Sequence, residues 1–163
     1  MNYFEWFEIP VSLKVDLQQV TRKFMEMQRK FHPDFHVGAT EEDQQEMLEK
    51  TSELNKAYVM FKNPDATMMY FLQVKGYWSP DQKETLSPDF LMEMMDLNEK
   101  LEDGVDEEAA KREVLLKIDE QNQGIEGVMA KDSGEIQESD IKIMIGYLNQ
   151  KKYLKRILDR LLN

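Results

Sequence analysis

The chain has 163 residues, 41% of them hydrophobic and 33% charged, with a formal net charge of -11. That length allows one or two small domains, and the negative balance argues against nucleic acid or an anionic membrane as a general partner. There is no cysteine, which excludes disulfides, thiol catalysis and cysteine-ligated metal or iron–sulfur sites within the chain and makes a reducing cytoplasm the default expectation.

The first ten residues, MNYFEWFEIP, are aromatic and acidic. They lack the basic start and long apolar stretch of a secretory signal, and no run approaches the roughly 20 apolar residues of a membrane helix. Asp16 is placed to N-cap the first predicted helix, on which Leu17, Val20, Phe24, Met27 and Phe31 form one apolar stripe. A second helix is expected from Thr40 to Asn63-Pro64, its acidic start, EED, suiting a helix N-terminus. A short helix over ATMMYFLQVK should stop at Gly76. The stretch YWSPDQKETLSPD has turn residues and little periodicity, and reads as a linker. Ser87 then caps a helix with Pro88 at its first position, running to about Asp103. Gly104 and Asp106 break and restart the pattern. A long helix follows through Lys131, weakened at Gly124 and Gly127, then a turn at DSGE, then a last helix to the end of the chain. The expected fold is all-α. An N-terminal helical hairpin with short helices occupies 1–76, a linker 77–87, and an antiparallel three-helix bundle 88–163. Twelve methionines suit helices, and serve either as core filler or at binding surfaces.

The first specific signal is KFHPDFH, residues 30–36. Pro33 disfavours helical geometry at His32, so the helix ends there and displays His32 and Asp34 in a loop. A metal site could draw only on His32, Asp34 and His36, since these are the only two histidines. A His32–Asp34 catalytic dyad would need a nucleophile and an oxyanion site that nothing marks. The third reading is a helix-terminating turn with His32 at the negative end of the dipole. Opposite the apolar stripe of the preceding helix lie Arg22, Lys23, Arg29 and Lys30, with Glu26 among them. A basic face on an acidic protein suits docking to an acidic protein surface, though charge alone equally describes a solvated face.

On the helix from Pro88, the residues Phe90, Met94, Leu97 and Leu101 make one apolar stripe. Leu91, Met92 and Met95 lie on another side, continuing into Asp96, Glu99 and Asp103. Such a patch is either a protein-binding site rimmed by acids or a second buried stripe between two layers. Residues 89–108 carry nine acids and one lysine, a net of -8, which would steer a basic partner and make binding salt-sensitive.

A basic-faced helix, then HPD, then a returning helix with LNKAY resembles a J-domain, the module that activates DnaK-type chaperone ATPases. The start MNYFEWFEIP, the tract NPDATMMYFLQVKGY and FLMEMMDLNEKLED are similar to the HscB family, the J-type co-chaperones of iron–sulfur cluster assembly. The likeness covers nearly the whole chain and is weakest over 105–140. It implies that His32, Pro33 and Asp34, with Arg22, Lys23, Arg29 and Lys30, engage an HscA- or DnaK-type chaperone. It places an IscU-type scaffold on Leu91, Met92, Met95, Asp96, Glu99 and Asp103, with Tyr153 of the last helix contributing. Met95 and Asp96 stand where the family more commonly has Leu and Glu. The resemblance implies no enzymatic activity and no cofactor for the chain itself. A J-protein serving a different client, and more remotely an enzyme using His32 and Asp34, are the competing readings.

Overall fold

The structure is a computed structural model that describes residues 1–104 and 106–162. Asn163, the last residue of the expected bundle, lies outside the described residues. The chain divides into two compact units, Met1–Lys75 and Gly76–Asn163. The described residues are helical with no strand, as the sequence implies.

In the first unit, α1 (Tyr3–Trp6) precedes α2 (Leu17–Phe31), a 3-10 turn (Pro33–Phe35), α3 (Glu41–Lys62) and α4 (Pro64–Val74). Each helix start has a chemical cause. Asp16 accepts from the Gln18 N–H at 2.9 Å, and Thr40 from Asp43 at 3.1 Å. Asn63 accepts from both Asp65 and Ala66, with Pro64 at the first helical position. That double cap starts α4 two residues before the alanine where periodicity begins. α2 and α3 run antiparallel: Thr21 meets Tyr58, Gln28 meets Asn55, and the Thr51 hydroxyl lies 3.4 Å from the Phe31 carbonyl.

The expected α2 stripe is only partly core. Val20 and Met27 are buried, Phe24 and Phe31 half-buried, and Leu17 exposed. The missing apolar volume comes from the first ten residues, for which the sequence offered no element. Phe4 and Phe7 are fully buried and both meet the Phe61 ring edge-on, at 5.4 and 5.2 Å. Tyr3 donates its N–H to the Tyr70 hydroxyl and its own hydroxyl to Glu53, at 2.9 and 2.7 Å. Burial, reinforced by that carboxylate, pushes the Tyr3 phenol up to about 12.

In the second unit, α5 (Pro88–Glu102), α6 (Glu107–Met129), a 3-10 turn (Ser133–Glu135) and α7 (Glu138–Leu162) form an antiparallel three-helix arrangement. Lys117 meets Glu93 at 2.7 Å and Lys100 meets Glu113 at 3.7 Å, which sets α5 against α6. Tyr147 donates to Asn122, which sets α6 against α7, and Lys131, just beyond α6, clasps both oxygens of Asp140 at the start of α7. Phe90, Met94, Leu97, Val114, Leu154 and Ile157 form the core, with Leu101 packed beside it. Gly124 and Gly127 do not interrupt α6. Each costs about 1 kcal/mol relative to Ala in a helix, and the burial of Ile125 and Val128 offsets this. Ahead of α5, the Thr85 carbonyl accepts from the buried Asn149 amide, Glu84 pairs with Lys152, and Leu86 packs on the core. The last residues of the expected linker are therefore fastened to α7.

Candidate functional site

The loop after α2 follows from one proline. His32 caps the helix with extended backbone (ψ 131°), and Pro33 opens a single 3-10 turn closed by Phe35 N–H to His32 C=O at 3.0 Å. The His32 Nδ1 accepts from the Asp34 N–H at 3.2 Å. In the neutral ring this places the proton on Nε2. The Asp34 carboxylate is 85% exposed and 3.6 Å from Nδ1, too far to hydrogen-bond and orient the imidazole as a catalytic base. His36 turns back instead of joining a ligand set: its Nε2 donates to the Lys30 carbonyl at 2.5 Å, closing the end of α2. Among the described residues no cluster of three or more His, Asp or Glu is arranged to hold a metal ion. The loop thus displays His32 and Asp34 on a hydrogen-bonded 3-10 turn. Exposed Phe35 and Val37 stand beside them, a feature that helix-and-charge patterns do not expose.

The basic face divides. Arg22, Arg29 and Lys30 are exposed. Lys23 is only 18% exposed and is held by Glu8 at 2.8 Å and Glu26 at 3.5 Å. At about 100° per residue, Lys23 lies only some 40° from the core residue Met27, so its stem is covered while its ammonium reaches Glu8. Each partner favours the other's charged form: Glu8 titrates below the ordinary carboxylate range and Lys23 above the ordinary amine.

On the second unit, α5 shows two faces. Phe90, Met94 and Leu97 are buried, whereas Leu91, Met92 and Met95 are 43, 65 and 63% exposed. Asp96, Glu99 and Asp103 are exposed too, so apolar and acidic side chains share the outward side. Tyr153 of α7 is half-buried: its ring meets Phe90 edge-on at 6.0 Å and its hydroxyl accepts from the Asn98 amide at 3.3 Å. Asn98 therefore positions this tyrosine, a role no sequence motif marks. The arrangement is an adaptable thioether-and-leucine surface ringed by charge, suited to a protein partner.

A family profile described as the HSCB C-terminal oligomerisation domain matches residues 86–162. A co-chaperone protein HscB homolog from Vibrio vulnificus (strain YJ016) is 37% identical over 114 residues, which cover 68% of this chain and 67% of that one. One from Vibrio parahaemolyticus is 37% identical over 107 residues, and the chain spans only 63% of that relative's length. Among solved structures, the chaperone HscB from Vibrio cholerae aligns over 99% of this chain and 96% of its own with a TM-score of 0.70 at 25% identity. The human co-chaperone protein HscB shares the fold, with a TM-score of 0.76 at 22% identity over 99% of this chain and 81% of its own. Similarity in sequence over two thirds of both chains, with the matching fold along nearly the whole length, shows that this chain belongs to the HscB family of co-chaperones.

Proposed function

We propose that the chain binds an IscU-type iron–sulfur scaffold through the outer face of α5 and brings it to an HscA- or DnaK-type chaperone, whose ATPase it stimulates through the loop at 32–34. The carrying observation is the exposure of Leu91, Met92 and Met95 on a helix whose opposite stripe is core. A folded unit that leaves three adjacent large apolar side chains in water, inside an acidic rim, has a surface whose burial awaits a partner. Asp96, Glu99 and Asp103 steer a basic partner surface toward the patch, and Leu91, Met92, Met95 and Tyr153 supply the area it covers.

On the first unit, the Nε2–H of His32 and the carboxylate of Asp34 form an outward-facing donor and acceptor, fixed in place by Pro33. Arg22, Arg29 and Lys30 supply the electrostatic attraction, with Lys23 held in reserve by Glu8. Residues 1–76 act as the chaperone-facing domain and 88–163 as the scaffold-facing one, in the cytoplasm. Carrying both partners on one body raises their concentration relative to each other. Hydrolysis belongs to the chaperone and cluster chemistry to the scaffold; this chain contributes binding and orientation.

Titration calorimetry of the full chain with a purified IscU-type scaffold tests this reading. Saturable one-to-one binding that weakens as salt rises from about 50 to 300 mM is the expected result. Absence of binding at the lowest salt would remove the scaffold from the account.

A further inference from the structure

The first unit also carries a cleft that uses none of the residues assigned above. It opens between α1 and the first half of α3 with a volume of about 390 Å³, within the range of roughly 300–1,000 Å³ found for ligand clefts. Tyr3 and Trp6 supply aromatic walls, Glu46, Glu49 and Glu53 line it with three carboxylates, and Lys50 adds one cation. Two of those acids are engaged. Glu46 pairs with Lys50 at 2.8 Å, and that ammonium also sits 5.3 Å from the Phe31 ring centre. Glu53 accepts the Tyr3 hydroxyl and Lys56. Glu49 accepts only an amide hydrogen bond from Gln45, at 3.2 Å, and no cation among the described residues pairs with it. The cleft continues onto a ridge that also carries Glu41 and Glu42. Residues 41–53 hold six acids and one lysine, a net of -5.

We infer that this cleft accepts an arginine side chain from a basic segment of a partner protein. Charge complementarity selects a cation, and the aromatic walls select one with a flat, weakly hydrated head. A guanidinium stacks on Trp6 or Tyr3 and offers its fork of N–H donors to Glu49 and Glu53, which an ammonium cannot match. Neighbouring cations of the same segment then lie along the Glu41–Glu42 ridge.

The test is a 1H–15N NMR titration of the full chain at about 50 mM salt. The probes are a capped hexapeptide of alternating Arg and Ala and its Lys/Ala counterpart. The Trp6 indole N–H reports the cleft and the Trp78 indole serves as the control. The expected result is a saturable shift at Trp6 and Tyr3 but not at Trp78, weaker for the lysine peptide. Glu49→Gln/Glu53→Gln should lower the affinity by roughly tenfold; the amide oxygen introduced by Glu53→Gln still accepts the Tyr3 hydroxyl. Should that pair disturb the fold, Glu49→Gln alone, at an exposed position, serves instead. Equal shifts from both peptides, an affinity unmoved by Glu49→Gln, or no saturation by ~10 mM peptide would overturn the assignment. These variants leave the chaperone and scaffold faces intact, so failure here would not touch the proposed function.

Discussion

Replacing Leu91, Met92 and Met95 together by Ala separates a binding face from a core. About half of Leu91 and a third of each Met is covered in the folded chain. Full burial of such a side chain stabilises by about 1.5–3 kcal/mol, and much of the partial cover comes from the helix's own neighbouring residues and persists in a compact unfolded chain. The triple variant should therefore lose only about 1–2 kcal/mol, partly offset by the helix propensity of Ala. The internal control is Met94→Ala. Met94 is 1% exposed at the centre of the α5 core, and its truncation should cost about 2–5 kcal/mol by itself. At roughly 4–8 °C per kcal/mol for a unit of this size, a thermal melt should order the proteins as wild type, triple, Met94→Ala. Calorimetry with the scaffold should order them differently: binding is lost in the triple variant and kept by whatever fraction of Met94→Ala remains folded. A triple variant that melts below Met94→Ala would mean the three residues are core. A folded triple variant that binds normally would move the client site elsewhere.

Glu8→Gln should release Lys23 and lower the concentration needed for half-maximal ATPase stimulation by about twofold; if Lys23→Gln changes nothing in either background, Lys23 serves only the fold. The Tyr3 phenol is raised from 10.0 to about 12 in the folded chain. The unfolded chain thus releases this proton first, and the stabilisation is complete below pH 10 and lost as pH rises toward 12. Denaturant melts of Tyr3→Phe should lack that alkaline slope. Asp140 titrates below the ordinary carboxylate range, held there by the Gln137 N–H and then by Lys131. Its contribution is present above the unfolded value and disappears as pH falls through the lower folded one, so Asp140→Asn should flatten the acid limb of the stability curve.

Much of this architecture is legible in side chains that act locally. Asp16, Thr40, Ser87 and Asp106 cap the helices they precede, and Pro33 ends α2 by steric exclusion. Both effects need only neighbouring residues. The two faces of α5 were legible as geometry, but whether the second was buried depended on what lay against it. The N-terminal aromatics stayed silent because α1, at four residues, is too short to show a period. Lys23 reads as one of four equivalent cations until Glu8, fifteen residues earlier, is found beside it. Spacing alone makes His32, Asp34 and His36 a candidate ligand set; which way the His36 ring turns, here back onto the Lys30 carbonyl through Nε2, is not written in the spacing.

The most direct test of the central claim is the ATPase rate of an HscA- or DnaK-type chaperone with an IscU-type scaffold present, with and without this chain. The account predicts that the chain accelerates hydrolysis. It predicts that His32→Gln, with unchanged far-UV circular dichroism and unchanged scaffold binding, abolishes the acceleration. Full stimulation by His32→Gln, or none by the native chain, would contradict it.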